Sequence, residues 1–202
     1  PDTTIIPYVM PGFILSKVCR EHLLKDLNSK HMILMNHGIF TYHDDPRQSY
    51  DDMIAMVDKA EQRLERGPAH PFPGIKLPSA PPALAEVAPI IRGALAREGE
   101  KEGKPDRWVL DHRADAQVMA FVNGDALGDY ATRGNAAPDH SIRIKRFGVV
   151  LPAPDANDLD SFKTDVHNAI ADYATAYTDY FDRNNVRSGG GFVMLDPTPR
   201  VV

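Results

Sequence analysis

A single histidine lies at a tight break between two apolar runs. Ile33-Leu34-Met35 precedes Asn36-His37-Gly38, and Ile39-Phe40-Thr41-Tyr42 follows it. Asparagine and glycine tolerate the left-handed backbone of a tight turn, and imidazole is the commonest protein metal ligand. His37 is therefore a candidate metal ligand, held in a strand–turn–strand. Because one isolated histidine is weak evidence for a metal site, a turn histidine that is hydrogen-bonded to backbone is the alternative.

A second group of side chains with possible chemistry follows Pro138. Ile142 and Ile144 alternate with Arg143 and Lys145, which predicts a strand with one basic face. Arg143 and Lys145 are candidate anion-binding residues, since charge-assisted bonds from such side chains position phosphates and carboxylates. A solvated strand edge protected by its charges is the alternative. His140, at the entrance of this segment, is a further candidate metal ligand.

The elements that must position His37 can be read from the flanking sequence. Strands are predicted near 5–9, 32–35 and 39–42, and helices over 12–27 and 45–66, which together indicate an α/β sheet covered by helices. The second helix begins with Asp45 as its N-cap, Pro46 at its first position and Gln48 to complete a capping box. Its apolar stripe is predicted to be core: Tyr50, Met53, Ile54, Val57, Ala60 and Leu64.

The chain changes character at Gly67. Residues 67–82 contain six prolines and two glycines, which predicts a connector without regular structure. Helical periodicity resumes over 84–95, and the longest predicted helix runs over 158–184, where tyrosines at helical spacing suggest core or a subunit contact. The glycines at 189–191 lead into an apolar run and then prolines, which is the wrong order for a dinucleotide-binding turn.

Composition narrows the functional class. The net charge is −5 and the pI is about 5.9, which argues against nucleic-acid and anionic-membrane partners. No apolar run has the length of a transmembrane helix, and no signal peptide is visible, so a cytoplasmic location is expected. The one cysteine, Cys19, lies in a predicted buried helical face and is interpreted as structural.

Several segments in order carry a family resemblance. The first group is Pro7-Tyr8-Val9-Met10-Pro11-Gly12, Asn36-His37-Gly38-Ile39-Phe40-Thr41, Ser49-Tyr50, Met53-Ile54 and Ala60-Glu61. This order resembles the C-terminal part of a class II aldolase/adducin domain. The second group is Phe121-Val122-Asn123, Pro138-Asp139-His140, Arg143-x-Lys145-Arg146 and Leu195-Asp196-Pro197-Thr198-Pro199-Arg200-Val201-Val202. It is similar to the region joining the halves of bifunctional aldolase/short-chain dehydrogenases of the rhamnulose-1-phosphate aldolase type.

The resemblance implies a divalent metal, usually zinc, held by three histidines, two from a His-x-His pair and one from an Asn-His-Gly turn. His37 would be that third ligand, and Asn36, Gly38, Arg143 and Lys145 would contribute to binding the substrate or its anionic group. The metal would polarise a ketose carbonyl and stabilise an enediolate during carbon–carbon cleavage. No His-x-His pair occurs among the eight histidines, so the chain is interpreted as a fragment whose other ligands lie upstream.

The implied architecture is α/β, a class II aldolase-like three-layer sheet with helices, present only in part and followed by a mostly helical extension. The expected divisions are an aldolase-like part at 1–66, the connector at 67–82 and a helical extension at 83–202. That extension would lead towards an absent dehydrogenase domain, which would hold the NAD. The incomplete sheet would be completed by an upstream segment or a second copy in a homo-oligomer.

The leading hypothesis is a fragment of a metal-dependent carbon–carbon lyase that acts on a ketose 1-phosphate or related sugar acid. Whether the fragment alone is an enzyme stays open, and we expect it to be inactive by itself. One alternative is a non-catalytic, adducin-like interaction module. The other is an epimerase or decarboxylase that uses the same metal on the same fold.

Overall fold

The computed structural model describes residues 2–67, 74–77, 80–96, 104, 106–194 and 196–202. Within this part of the chain, three strands form one sheet and seven helices accompany it, so the fold is mixed α/β. The chain divides into two compact units, Pro1–Pro71 with Ala136–His140 and Phe72–Asn135 with Ser141–Val202. Half of the predicted connector over 67–82, namely 68–73, 78 and 79, lies outside the described residues, as does Leu195.

The first unit contains the sheet. Its order is β1 (Thr3–Ile6), β2 (His31–Leu34) and β3 (Gly38–Thr41). β1 and β2 are parallel, because helix α1 (Phe13–Lys25) carries the chain back between them, whereas β2 and β3 form an antiparallel hairpin. All three predicted strands are thus present, each within a few residues of its expected position.

A small core lies between α1 and one face of the sheet. Ile6, Met32 and Leu34 are buried there on neighbouring strands, and α1 packs its apolar face on them. The residues contributed by α1 are Leu15, Val18, Cys19 and Leu23. Burial raises the pKa of the Cys19 thiol, which disfavours the reactive thiolate and fits the structural interpretation of this cysteine.

Helix α2 (Pro46–Glu65) begins as predicted and then departs from expectation. The Asp45 side chain caps the helix by accepting from the Arg47 amide. The capping box is wrong, because the Gln48 amide donates forward to Asp52 and the Asp45 amide donates to His43 Nδ1. The apolar stripe of α2 was predicted to be buried in a core, but several of its side chains are exposed. Tyr50 is 65% exposed and Leu64 is 77% exposed.

The second unit is mainly helical. It contains α3 (Leu84–Ala94), α4 (Ala116–Val122), α5 (Leu127–Tyr130) and α7 (Leu159–Arg187), and α6 (Pro138–Ile144) begins in the first unit and ends in this one. The core of the second unit is a cluster of Leu95 with Phe162, Val166 and Ile170 of α7. The predicted longest helix is therefore confirmed, and one of its faces is buried.

The predicted basic strand at 142–145 is wrong, because residues 138–144 form helix α6. Four alternating residues are too few to establish a period of two, and Ile142 is 81% exposed, so no buried strand face exists. Proline starts the helix, Asp139 lies in its first turn and Arg143 in its last turn. Those charges favour a helix, since they complement its dipole.

No described helix is long and apolar enough to cross a membrane.

Candidate functional site

The turn that carries His37 is confirmed. Leu34 pairs with Gly38 across the hairpin, and the His37 amide donates to the Leu34 carbonyl at 2.9 Å. Asn36 has φ 65° and Gly38 has φ 141°, the backbone geometry for which asparagine and glycine are suited. The Met35 amide donates to the Ile6 carbonyl at 3.0 Å. The turn is therefore fixed both to its own hairpin and to the end of β1.

The imidazole of His37 is held by the segment that follows β1. Its Nε2 lies 2.8 Å from the Val9 carbonyl oxygen, and its ring stacks on Tyr8 with centroids 5.4 Å apart and planes 15° from parallel. A carbonyl oxygen can only accept, so Nε2 donates, and in the neutral ring the lone pair lies on Nδ1. The alternative of a backbone-bonded turn histidine is thus realised. It is compatible with metal ligation, because ligating histidines commonly donate their other ring N–H to a carbonyl.

A groove of about 340 Å³ runs along this turn within the first unit. Its walls are the residues from Ile33 to Ile39 together with Ala136 and Ala137. The Asn36 side-chain amide donates to the Ala136 carbonyl at 2.8 Å, so the turn and the Ala136–His140 segment are joined there. This groove is the space beside His37 in which a small molecule could lie.

The residues present fit a metal ion only in part. His37 has the chemistry of a single imidazole donor, with one nitrogen anchored and one lone pair left. No group of three or more histidine, cysteine, aspartate or glutamate side chains that could hold a metal occurs among the described residues. His140 lies in α6, where its amide donates to the Ala137 carbonyl, and its role as a ligand stays a prediction.

Arg143 and Lys145, the two predicted anion-binding residues, differ in their surroundings. Arg143 is exposed at the end of α6. The Lys145 ammonium donates to the carbonyl oxygens of Asp196 and Thr198 and lies 4.4 Å from the centre of the Tyr177 ring. Burial lowers the pKa of Lys145 to about 8, with Asp196 opposing that shift and Arg200 adding to it. Their binding of an anion stays a prediction for both residues.

Asp196 and its partners form a network that the sequence interpretation missed. The Asp196 carboxylate accepts from the Thr198 amide and hydroxyl and pairs with Arg200 at 3.0 Å, and Arg200 lies 4.0 Å from the centre of the Trp108 ring. Burial raises the pKa of Asp196, but the Thr198 donors, Lys145 and Arg200 outweigh it and leave that pKa below its ordinary value. The Asp-x-Thr spacing, typical of a local Asx turn, was the available signal.

Two family models match the chain. Residues 82–202 match the family described as "Aldolase class II, second domain", and residues 1–64 match "Class II Aldolase and Adducin N-terminal domain". No solved structure matches the chain.

The chain is also 26% identical over 205 residues to "Uncharacterized oxidoreductase YuxG" of Bacillus subtilis (strain 168). The similarity covers 98% of this chain but only 28% of that relative. The relative's name is compatible with an aldolase–dehydrogenase fusion. Because a family match covers more than half of its length, the chain belongs to the class II aldolase family.

Proposed function

We propose that this chain is part of a metal-dependent carbon–carbon lyase and that His37 is one ligand of its divalent metal. Zinc is the metal that we propose. The observation that carries the proposal is the His37 imidazole, whose Nε2 is anchored on the Val9 carbonyl beside an open groove. Membership of the class II aldolase family supports the same chemistry. The proposed substrate is a ketose 1-phosphate or a related sugar acid.

The residues of the turn have distinct tasks in this proposal. When bound, a divalent metal supplies Lewis-acid polarisation of a substrate carbonyl. His37 supplies a neutral imidazole whose proton is held at Nε2 by Val9. Gly38, at φ 141°, supplies a backbone geometry that side-chain-bearing residues rarely adopt. Asn36 joins the turn to the Ala136 carbonyl and so shapes the groove in which substrate is proposed to lie.

Arg143 and Lys145 are proposed to contribute to binding the anionic group of the substrate. Arg143 is the stronger candidate, because its exposed guanidinium can bind a phosphate or carboxylate through two parallel hydrogen bonds. Lys145 already donates to two carbonyl oxygens, so it would have to share its ammonium protons. His140 is proposed only as a secondary ligand.

The remaining ligands are proposed to come from other parts of the natural polypeptide that carries this chain. A three-layer arrangement, an oligomeric assembly and an NAD-binding short-chain dehydrogenase part are further elements of the proposal. The exposure of Ile5, 60% on the second face of the sheet, supports an additional covering layer. The name of the Bacillus subtilis relative supports the dehydrogenase part.

A second candidate function is an adducin-like interaction module without a metal. The observation that favours it is the match of residues 1–64 to a family whose description names adducin beside class II aldolase. An epimerase or decarboxylase would use the same metal and is separated from the lyase only by its products.

Cleavage of ketose 1-phosphates by the natural polypeptide tests the proposal. We expect retro-aldol products from the wild type, their loss after chelation, recovery on adding zinc, and no activity in His37→Ala. His167→Ala is the matched control, because His167 is exposed on α7 and its Nδ1 bonds to the Lys163 carbonyl of the same helix. A wild type that binds no metal and cleaves no sugar phosphate would favour the interaction module, and epimerised or decarboxylated products would favour the other enzymes.

A further inference from the structure

We propose that Tyr8 is a positioning residue for the metal site, because its ring sets the plane of the His37 imidazole. This inference rests on the proposed function, in which His37 is a metal ligand. Tyr8 would touch neither metal nor substrate in this role. It would act only through His37.

The backbone of His37 is fixed by the hairpin, but its side chain needs separate restraints. The neighbours Asn36 and Gly38 provide none, since the Asn36 side chain bonds to Ala136 and Gly38 has no side chain. The hydrogen bond from Nε2 to the Val9 carbonyl fixes one point of the ring. A single hydrogen bond leaves rotation of the ring about that point, so it does not determine where the other nitrogen points.

The Tyr8 ring supplies the missing restraint. It lies parallel to the imidazole within 15° at a centroid distance of 5.4 Å, within the range of an offset-stacked aromatic pair. A flat partner on one face prevents the imidazole from tilting about its hydrogen bond. The ring plane and the anchored nitrogen together determine the direction of the remaining lone pair. Metal binding is favoured when this direction is fixed in advance.

Tyr8 itself is held by its place in the chain. It follows β1, whose last residue, Ile6, accepts a hydrogen bond from Met35 at the start of the turn. The Tyr8 side chain is half exposed, and its hydroxyl has no hydrogen bond within the described ranges of the chain. The Tyr8 ring therefore contacts His37 by stacking. A phenylalanine in place of Tyr8 should keep this stack.

The test measures zinc affinity of the natural polypeptide by competition with a chromophoric chelator. We expect Tyr8→Leu to weaken zinc binding by about ten-fold, the lower end of the effect of a residue that orients a ligand. Tyr8→Phe should bind zinc within about two-fold of the wild type, because the stack remains. Tyr50→Leu, the same substitution at another exposed tyrosine, on α2, should have no effect.

The thermal midpoint of each variant separates positioning from folding, because positioning predicts weaker zinc binding at an unchanged midpoint of the zinc-free protein. The inference is overturned if Tyr8→Leu binds zinc as tightly as the wild type, if Tyr8→Phe loses as much affinity as Tyr8→Leu, or if affinity falls only in step with the midpoint. A failure of the proposed function has a different signature. In that case the wild type binds no zinc, or His37→Ala binds it equally well.

Discussion

Replacing Asp196 by asparagine should destabilise the second unit far more than the same change at an exposed aspartate. The Asp196 side chain is 5% exposed and Arg200 is 28% exposed, with 3.0 Å between the paired atoms. Asparagine keeps an oxygen for the Thr198 amide but presents an N–H₂ group where the carboxylate accepted from Arg200. The substitution therefore removes the charge and sets two donors against each other, at nearly constant volume.

The expected loss of unfolding free energy is about 2 kcal/mol. Breaking a fully buried ion pair costs about 3–5 kcal/mol, whereas exposed pairs contribute about 0–1 kcal/mol. This pair lies between those limits, because Asp196 is buried and Arg200 is partly exposed. With a urea dependence of about 2 kcal/mol per molar, the unfolding midpoint should fall by about 1 M.

Tryptophan fluorescence is the appropriate assay, because Trp108 is the one tryptophan of the sequence and lies 4.0 Å from Arg200, against the core of the second unit. Asp129→Asn is the matched control, since Asp129 of α5 pairs with Arg133 just beyond that helix and both side chains are exposed. The control should leave the urea midpoint unchanged. Equal midpoints for the two variants, or a loss below about 0.5 kcal/mol for Asp196→Asn, would refute the role assigned to this network.

Three further predictions concern stability in urea. The pKa of Lys145 is about 8 in the folded chain and 10.5 in the unfolded chain. Between these pH values the unfolded chain binds more protons, so the free energy of unfolding should rise with pH. Lys145→Met should flatten that rise. Ile170→Ala, in the core of the second unit, should cost about 2–5 kcal/mol, and a cost below 1 kcal/mol would contradict that core. Asp45→Ala should cost about 1 kcal/mol of first-unit stability by circular dichroism, whereas no change would contradict its capping role.

Sequence alone predicted the features that depend on neighbouring residues. The turn at Asn36-His37-Gly38 follows from residues that tolerate positive φ, and the start of α2 follows from the capping chemistry of Asp45. The alternation from Ile142 to Lys145 led to the wrong prediction of a strand. It spans only four residues, and the proline and charges around it favour a helix.

Contacts between distant residues could not be predicted in this way. Tyr8 lies 29 residues before its partner His37, and Lys145 binds carbonyls about fifty residues further along the chain. No local pattern specifies such pairs. The exposed stripe of α2 illustrates the same limit, since periodicity identifies an apolar face but does not show what covers it.

Zinc stoichiometry of the natural polypeptide after equilibrium dialysis tests the central claim, that His37 is a metal ligand, most directly. We expect about one zinc ion per chain in the wild type and in His167→Ala, and loss of that zinc in His37→Ala with folding retained. Undiminished zinc in a folded His37→Ala protein would contradict the claim.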